Sequence, residues 1–152
     1  MDLEFGSEYD EVTKEVESFC KEYSNAIITT SNDKKFEMHD ALSGNSNEKS
    51  GKIVNRSDWQ RLLIEKGYFA RSIPKEYGGY GGEPDIIKSR IIATEFSKHK
   101  VPNAMGGQGI DMLVPTLLEW GTEEQKQKYI KSTLHGETIW CQGYSEPNAG
   151  SD

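Results

Sequence analysis

Gly121-Thr122-Glu123-Glu124-Gln125-Lys126-Gln127-Lys128-Tyr129-Ile130-Lys131-Ser132-Thr133-Leu134-His135-Gly136 is a helix with both ends written into the sequence. Thr122 can accept from the amide three residues on while Gln125 reaches back, a capping box, and Gly136 supplies the left-handed residue that closes a helix. Tyr129, Ile130 and Leu134 give it an apolar stripe, and Glu119, Glu123 and Glu124 read as acids complementing the helix start. Upstream, Gly121 ends a further apolar segment, Ile110 to Trp120, in which Pro115 removes a donor and should kink or restart the helix. That segment follows the break Gly106-Gly107-Gln108-Gly109.

The same reading extends toward the N-terminus. Pro84 suits the first turn of a helix whose Ile86, Ile87, Ile91, Ile92, Ala93 and Phe96 make a broad apolar face, expected to be the most buried of the set. Before it lies a turn-rich connection, Gly67 to Gly82. Ser57 with Gln60 reads as another capping box, opening a helix to about Lys66 whose stripe is Trp59, Leu62 and Leu63. The first helix runs from about Glu8 to Ile28, on Val12, Val16, Phe19, Cys20, Tyr23 and Ile27. Thr29 to about Val54 is polar and Gly-rich, expected as a linker or long loop.

On the C-terminal side, Thr138-Ile139-Trp140-Cys141-Gln142-Gly143-Tyr144-Ser145 combines β-branched and aromatic residues over strand length. No other segment reads as a strand, and one strand cannot satisfy its own backbone. The expectation is a mainly α chain: a bundle of about five to six helices followed by the first strand of a truncated β-domain. Its divisions are 1–54 (amphipathic helix and polar linker), 55–136 (the remaining helices) and 137–152 (the start of the β-domain).

Composition bounds what such a chain does. The 152 residues carry 18 Lys plus Arg against 25 Asp plus Glu, a net charge of −7, with 34% apolar residues. All of the excess acidity lies in residues 1–50, and no basic run offsets it, so neither nucleic acid nor an anionic membrane surface is an expected partner. No apolar stretch approaches a membrane span and the start lacks a basic targeting segment, so the chain is expected to be cytoplasmic. Cys20 and Cys141 both sit on apolar patterns and read as buried free thiols. His39, His99 and His135 share no ligand spacing, so no metal site is expected; His99 and His135 fall near helix ends. Neither glycine run follows a strand or supplies the third glycine of a dinucleotide fingerprint, and Ser145 has no nucleophile elbow around it.

The closing stretch, Gln142 to Asp152, is dense in small and hydroxyl-bearing residues. Gly150 lets backbone approach a bound group, while Ser145 and Ser151 offer hydrogen bonds. From the residues alone, an ordinary turn with a Ser-Asp cap and a ligand cradle both account for it.

Ser145-Glu146-Pro147-Asn148-Ala149-Gly150-Ser151-Asp152 resembles the flavin-binding signature of the acyl-CoA dehydrogenases, placed where their helical N-terminal domain hands over to the middle β-domain. Two upstream pieces are similar to the same family and occur in its order: Ile73-Pro74-Lys75-Glu76-Tyr77-Gly78-Gly79-Tyr80-Gly81-Gly82 and Gly121 to Tyr129. The likeness covers Ser57 to Asp152 well and the first helix more loosely. Tyr144, where the family usually has an aliphatic residue, and the Ser/Asn-rich stretch before Ser57 are departures.

The resemblance implies FAD as cofactor and an acyl-CoA thioester, of the kind met in fatty acid β-oxidation, as substrate. A carboxylate takes the α-proton while the flavin accepts the β-hydride. It implies flavin contacts for Gln142, Tyr144, Ser145, Gly150 and Ser151, and substrate contacts for Ser151, Gln108 and Met112, although core packing is the expected role of Met112. The family's catalytic base lies in a C-terminal helical domain without counterpart here, so no catalytic residue is assigned, and the chain is expected to be the N-terminal part of such an enzyme, inactive alone. Electron-transfer flavoprotein or a similar acceptor, and a homo- or hetero-oligomeric state, are implied in the same way. A non-catalytic helical interaction module and a related FAD-dependent acyl-CoA oxidase are the alternatives.

Overall fold

The computed structural model describes residues 6–30 and 52–143. Five α-helices carry the fold among them: α1 (Asp10–Glu22), α2 (Arg56–Glu65), α3 (Ile86–His99), α4 (Val114–Trp120) and α5 (Glu123–Leu134). Short 3-10 turns at Ser7–Tyr9 and Lys75–Tyr77 supplement them. The predominantly helical architecture expected from the sequence is present.

Helix α2 is the shared wall of two cores. On one side its Trp59 and Leu63 meet Val16, Phe19 and Cys20 of α1 and Ile91, Ile92 and Phe96 of α3. Phe19 anchors an aromatic cluster, with ring centroids 4.7 Å from Tyr23, 5.9 Å from Trp59 and 5.9 Å from Phe96, and Tyr68 edge-on at 5.0 Å. Such offset and edge-on contacts add to the burial of large rings. On the other side Ile64 joins Tyr77, Val114, Ile130 and Leu134. Ile130 and Leu134 are fully buried, which is the face expected of α5.

Between the two cores sits a buried amide. Gln60, 1% exposed, donates from Nε2 to the Leu134 carbonyl at 3.2 Å, and its Oε1 accepts from the Met105 amide at 2.7 Å. The expected capping box of Ser57 and Gln60 is therefore not formed. Asn55 is the N-cap of α2 and accepts from the Ser57 amide at 2.9 Å, which frees Gln60 to face inward one turn later. Pro84 is likewise displaced: Asp85 caps α3 by accepting from the Lys88 amide at 2.8 Å, so Pro84 precedes the helix. The apolar face of α3 is narrower than expected, because Ile91, Ile92 and Phe96 are buried while Ile86 is 87% exposed and Ala93 is also exposed.

The capping box of Thr122 and Gln125 forms as its residues require. At the other end Gly136 takes φ +69°, and the Glu137 amide returns to the Ser132 carbonyl, closing α5. Pro115 does force a restart. Gly109–Leu113 forms a wide π turn before α4, and the Val114 amide reaches back to the Gly109 carbonyl. A proline here has no amide to donate and its ring crowds the carbonyl four residues back, and the widened turn relieves both.

Two further departures concern β structure. Ile27–Thr29 (β1) and Ile53–Asn55 (β2) pair in parallel, with Ile27 opposite Ile53 and Thr29 opposite Asn55. The first helix thus stops at Glu22 rather than near Ile28. Asn25, at φ +55°, turns the chain out of it, and the end of the supposed linker returns beside β1. Conversely, the described part of the expected strand, residues 138–143, forms none: Ile139 is 72% exposed and no β1 or β2 residue pairs with it. Cys141 is accordingly exposed rather than buried, whereas Cys20 is buried, its thiol pushed up to about 11 by burial, with Glu95 and Glu17 adding to the shift.

Three measurements test these contacts. Gln60→Leu leaves the Met105 amide and the Leu134 carbonyl without partners, and should cost about 2–6 kcal/mol at roughly 1–3 per group in a urea titration. Ser57→Ala should stay within about 0.5 kcal/mol in the same titration; a loss near 1 kcal/mol there would restore the capping role to Ser57. Burial pushes the His135 imidazole below its ordinary 6.5; Glu137 opposes this, and Arg61 and Lys131 add to it. The unfolded chain then binds that proton more readily, so this part of the stability is complete above pH 6.5 and declines as pH falls toward the lower native value. His135→Gln should flatten the urea midpoint between about pH 7 and pH 5; an unchanged slope would place the titration elsewhere.

Candidate functional site

The segment from Gly106 to Leu113 stands between two hollows. Gln108 and Met112, four apart, share one face of its turn and line a cleft of about 220 Å³ with Leu113, Thr116, Trp140, Cys141 and Gln142. Gly106, Ile110 and Asp111 border a larger cavity on another face. Asp111 fixes the start of the turn: its Oδ2 accepts from the Gly107 amide at 2.9 Å, and Gly107 takes φ +114°, a region that favours glycine.

The far wall of the cleft is Trp140-Cys141-Gln142, held without any ladder. The Trp140 indole Nε1 donates to Thr133 Oγ1 at 2.8 Å, that hydroxyl donates to the Tyr129 carbonyl at 2.7 Å, and the Trp140 ring meets Tyr129 edge-on at 5.5 Å. Gly109 makes the approach feasible, because a Cβ there would lie 2.6 Å from Trp140 Cδ1 and 3.0 Å from Thr133 Cγ2. Anchored this way, Gln142 closes on the other wall. Gln108 Nε2 donates to Gln142 Oε1 at 2.9 Å, and Gln142 Nε2 lies 3.6 Å from the Met112 sulfur.

Three residues singled out from the sequence, Gln108, Met112 and Gln142, therefore share one cleft. Tyr144, Ser145, Gly150 and Ser151 lie outside the described residues. Met112 is 48% exposed and lines the cleft, so core packing is not its role. Sequence reasoning missed Trp140, Thr116 and Cys141 as lining residues, and Thr133 as the anchor. An indole–hydroxyl bond across a helix end has no sequence signature; Gly109, in the glycine break before Ile110, is the one residue there whose type permits a close approach.

The chemistry of the cleft is that of neutral groups. None of its lining residues is Lys, Arg, His, Asp or Glu: two carboxamides, a hydroxyl, an indole and a thiol border an apolar floor. Carboxamides both donate and accept, so the cleft suits the polar edge of an uncharged flat heterocycle and offers no cation for phosphate. Among the described residues no group of three or more His, Cys, Asp or Glu could hold a metal ion. Glu123 stands exposed in the first turn of α5 as expected, and it also accepts from the Tyr77 hydroxyl at 2.8 Å, a bond that leads the causes pushing that phenol up to about 12. Tyr77 belongs to the second core, Glu123 stands exposed at its edge, and neither lines the cleft.

Comparison with known proteins places these elements in a family. The family described as Acyl-CoA dehydrogenase, N-terminal domain, matches residues 7–137. The chain is 36% identical over 97 residues to the acyl-CoA dehydrogenase IpdE1 of Mycolicibacterium smegmatis, covering 64% of this chain and 24% of that protein. It is 43% identical over 98 residues to the short-chain-specific acyl-CoA dehydrogenase of Clostridium acetobutylicum, covering 60% and 24%. The chain thus spans about a quarter of the length of these curated relatives. The crystal structure of the ChsE4-ChsE5 complex from Mycobacterium tuberculosis contains a similar fold, with a TM-score of 0.54 and 24% identity over 99% of this chain and 33% of that one.

Because Gly109 permits the Trp140 contact, Gly109→Ala should move the indole and cost about 1–3 kcal/mol, as overpacking does. The indole N–H cross-peak of Trp140 in a nitrogen–proton spectrum should shift while that of Trp59, in the other core, stays in place. An unmoved Trp140 signal would sink this account of the cleft wall.

Proposed function

The chain belongs to the acyl-CoA dehydrogenase family, whose N-terminal domain it carries, and from that premise we propose that it is the N-terminal part of a flavin-dependent enzyme that desaturates acyl-CoA thioesters between their α and β carbons. The observation that carries the reading is the convergence of Gln108, Met112 and Gln142 on one uncharged cleft. In this reading 1–54 and 55–136 form the helical domain and 137–152 lead into the next.

Bound flavin supplies the hydride acceptor. The chain's own part is to hold and orient. Gln142 offers a carboxamide to a ring edge from a wall that Trp140 keeps rigid, and Gln108 braces that carboxamide from the opposite side. Met112 and Leu113 shed water from the floor. Tyr144, Ser145, Gly150 and Ser151 extend the cradle, with Ser151 nearest both flavin and substrate. No carboxylate or imidazole lines the cleft among the described residues, so the proposal assigns the proton-abstracting base to another part of the full protein and no turnover to these 152 residues alone. An acceptor such as electron-transfer flavoprotein and an oligomeric assembly complete the reading. Among the described residues no helix is long and apolar enough to cross a membrane.

The full-length protein should purify yellow, or become so with added FAD, and should desaturate an acyl-CoA when an electron acceptor is supplied. A colourless protein that refuses FAD sinks the reading. Gln142→Ala should weaken flavin binding about tenfold, the worth of one hydrogen bond near 1.4 kcal/mol, measured by flavin fluorescence on titration.

A further inference from the structure

The cleft wall that carries Gln142 is held by few bonds. After the Thr138 amide, which donates to the Ser132 carbonyl at 3.1 Å, the backbone of Ile139, Trp140 and Cys141 makes no hydrogen bond with another described residue. Ile139 is 72% exposed and Cys141 is exposed too, so neither side chain packs the wall down. Trp140 also borders a hollow of about 60 Å³, shared with Met105, Gly106, Gly109, Ile110 and Thr133. A space of that size holds water, and it leaves the indole room to shift.

What fixes the wall is directional. Trp140 Nε1 donates to the Thr133 hydroxyl at 2.8 Å, and that hydroxyl donates in turn to the Tyr129 carbonyl at 2.7 Å. Thr133 is 1% exposed and belongs to α5, so its hydroxyl is a fixed point against which the wall is set. The edge-on contact with Tyr129 tolerates sliding, whereas a hydrogen bond weakens steeply once its angle falls below about 120°. The bond from Gln108 to Gln142 joins two exposed side chains, and so follows the wall rather than placing it. Gln142 stands two residues past Trp140, which keeps their Cα atoms within about 7 Å of each other.

We propose that Thr133 is a positioning residue for the flavin. Its hydroxyl holds the indole out of the hollow and so sets where Gln142 presents its carboxamide, although Thr133 does not itself line the cleft. The inference rests on the flavin reading above and deepens it: a buried hydroxyl outside the cleft governs how tightly the ring is held and in what surroundings.

The test uses the full-length protein and FAD. Thr133→Val keeps the branched shape and removes the hydroxyl; it should raise the flavin Kd about tenfold and shift the visible absorption bands of the bound flavin. Thr133→Ser, which keeps the hydroxyl, should stay within about threefold of the unaltered Kd with its bands in place. Trp140→Phe removes the donor from the other side, leaves the Thr133 bond to Tyr129 within α5, and should reproduce the valine loss. The double variant should lose no more than either single one, and in a Gln142→Ala background Thr133→Val should leave the Kd unchanged, because the three act in series.

An unaltered Kd and spectrum in Thr133→Val overturn the proposal. So does a Thr133→Ser protein that loses as much as the valine variant, since packing of the methyl group rather than the hydroxyl bond would then be at work. Additive losses in the double variant have the same force, and a Trp140→Phe protein that binds FAD as tightly as the unaltered one decides against the proposal whether or not Thr133→Val folds. An unaltered full-length protein that refuses FAD defeats the flavin reading itself, and this inference falls with it.

Discussion

The carboxamide of Gln60 holds together the two halves on which everything else is built. Its Nε2 binds the Leu134 carbonyl at the end of α5, and its Oε1 binds the amide of Met105, the residue that opens the glycine break before Gly109. Those two partners lead directly into the two walls of the cleft: Leu134 runs on to Trp140 and Gln142, and Met105 to Gln108 and Met112. One buried side chain thus sets the spacing of both walls from a single rigid helix. Such an amide is tolerated in a core only when both of its ends are satisfied, which also makes its geometry hard to change.

Much of this was legible wherever the sequence encodes local chemistry. Thr122, Gln125 and Gly136 announce the ends of α5 because a cap is a bond between near neighbours, and Pro115 announces the restart of α4 because its ring acts on its own turn. Apart from the Asp85 cap that displaces Pro84, the main failures are non-local. Ile27–Thr29 and Ile53–Asn55 are each too short for a period of two to be visible, and each depends on a partner far along the chain. Gln60 sits at the right distance from Ser57 for a capping box, and only the presence of Met105 and Leu134 turns it inward. Residues 138–143 have strand composition, yet the described fold offers them Thr133 and Tyr129 rather than a ladder, so Trp140 packs sideways and Cys141 faces out.

The candidate site divides along the same line. Gln108, Met112 and Gln142 were named from resemblance, and their meeting in one cleft owes nothing to a pattern visible in any one of them. Thr133, which fixes Trp140, could not be read at all, since a buried threonine on a helix usually returns its hydroxyl to its own backbone. Here it does so and accepts from the indole as well.

The wide turn before Pro115 explains why two hollows of opposite character lie so close together. A regular α-helical turn places residues 108 and 112 on one face and repeats that face every four residues, whereas the π turn at Gly109–Leu113 inserts one extra residue and re-aims the helix beyond it. Gln108 and Met112 remain with the neutral cleft, while Ile110 and Asp111 are carried round to the cavity that contains Arg71. The turn cannot relax into a regular helix while Pro115 stays, and it cannot move away from α5 while Gly109 packs against Trp140 and Thr133. The uncharged cleft and the cavity lined by Arg71 and Asp111 are therefore held at fixed separation by the same short turn.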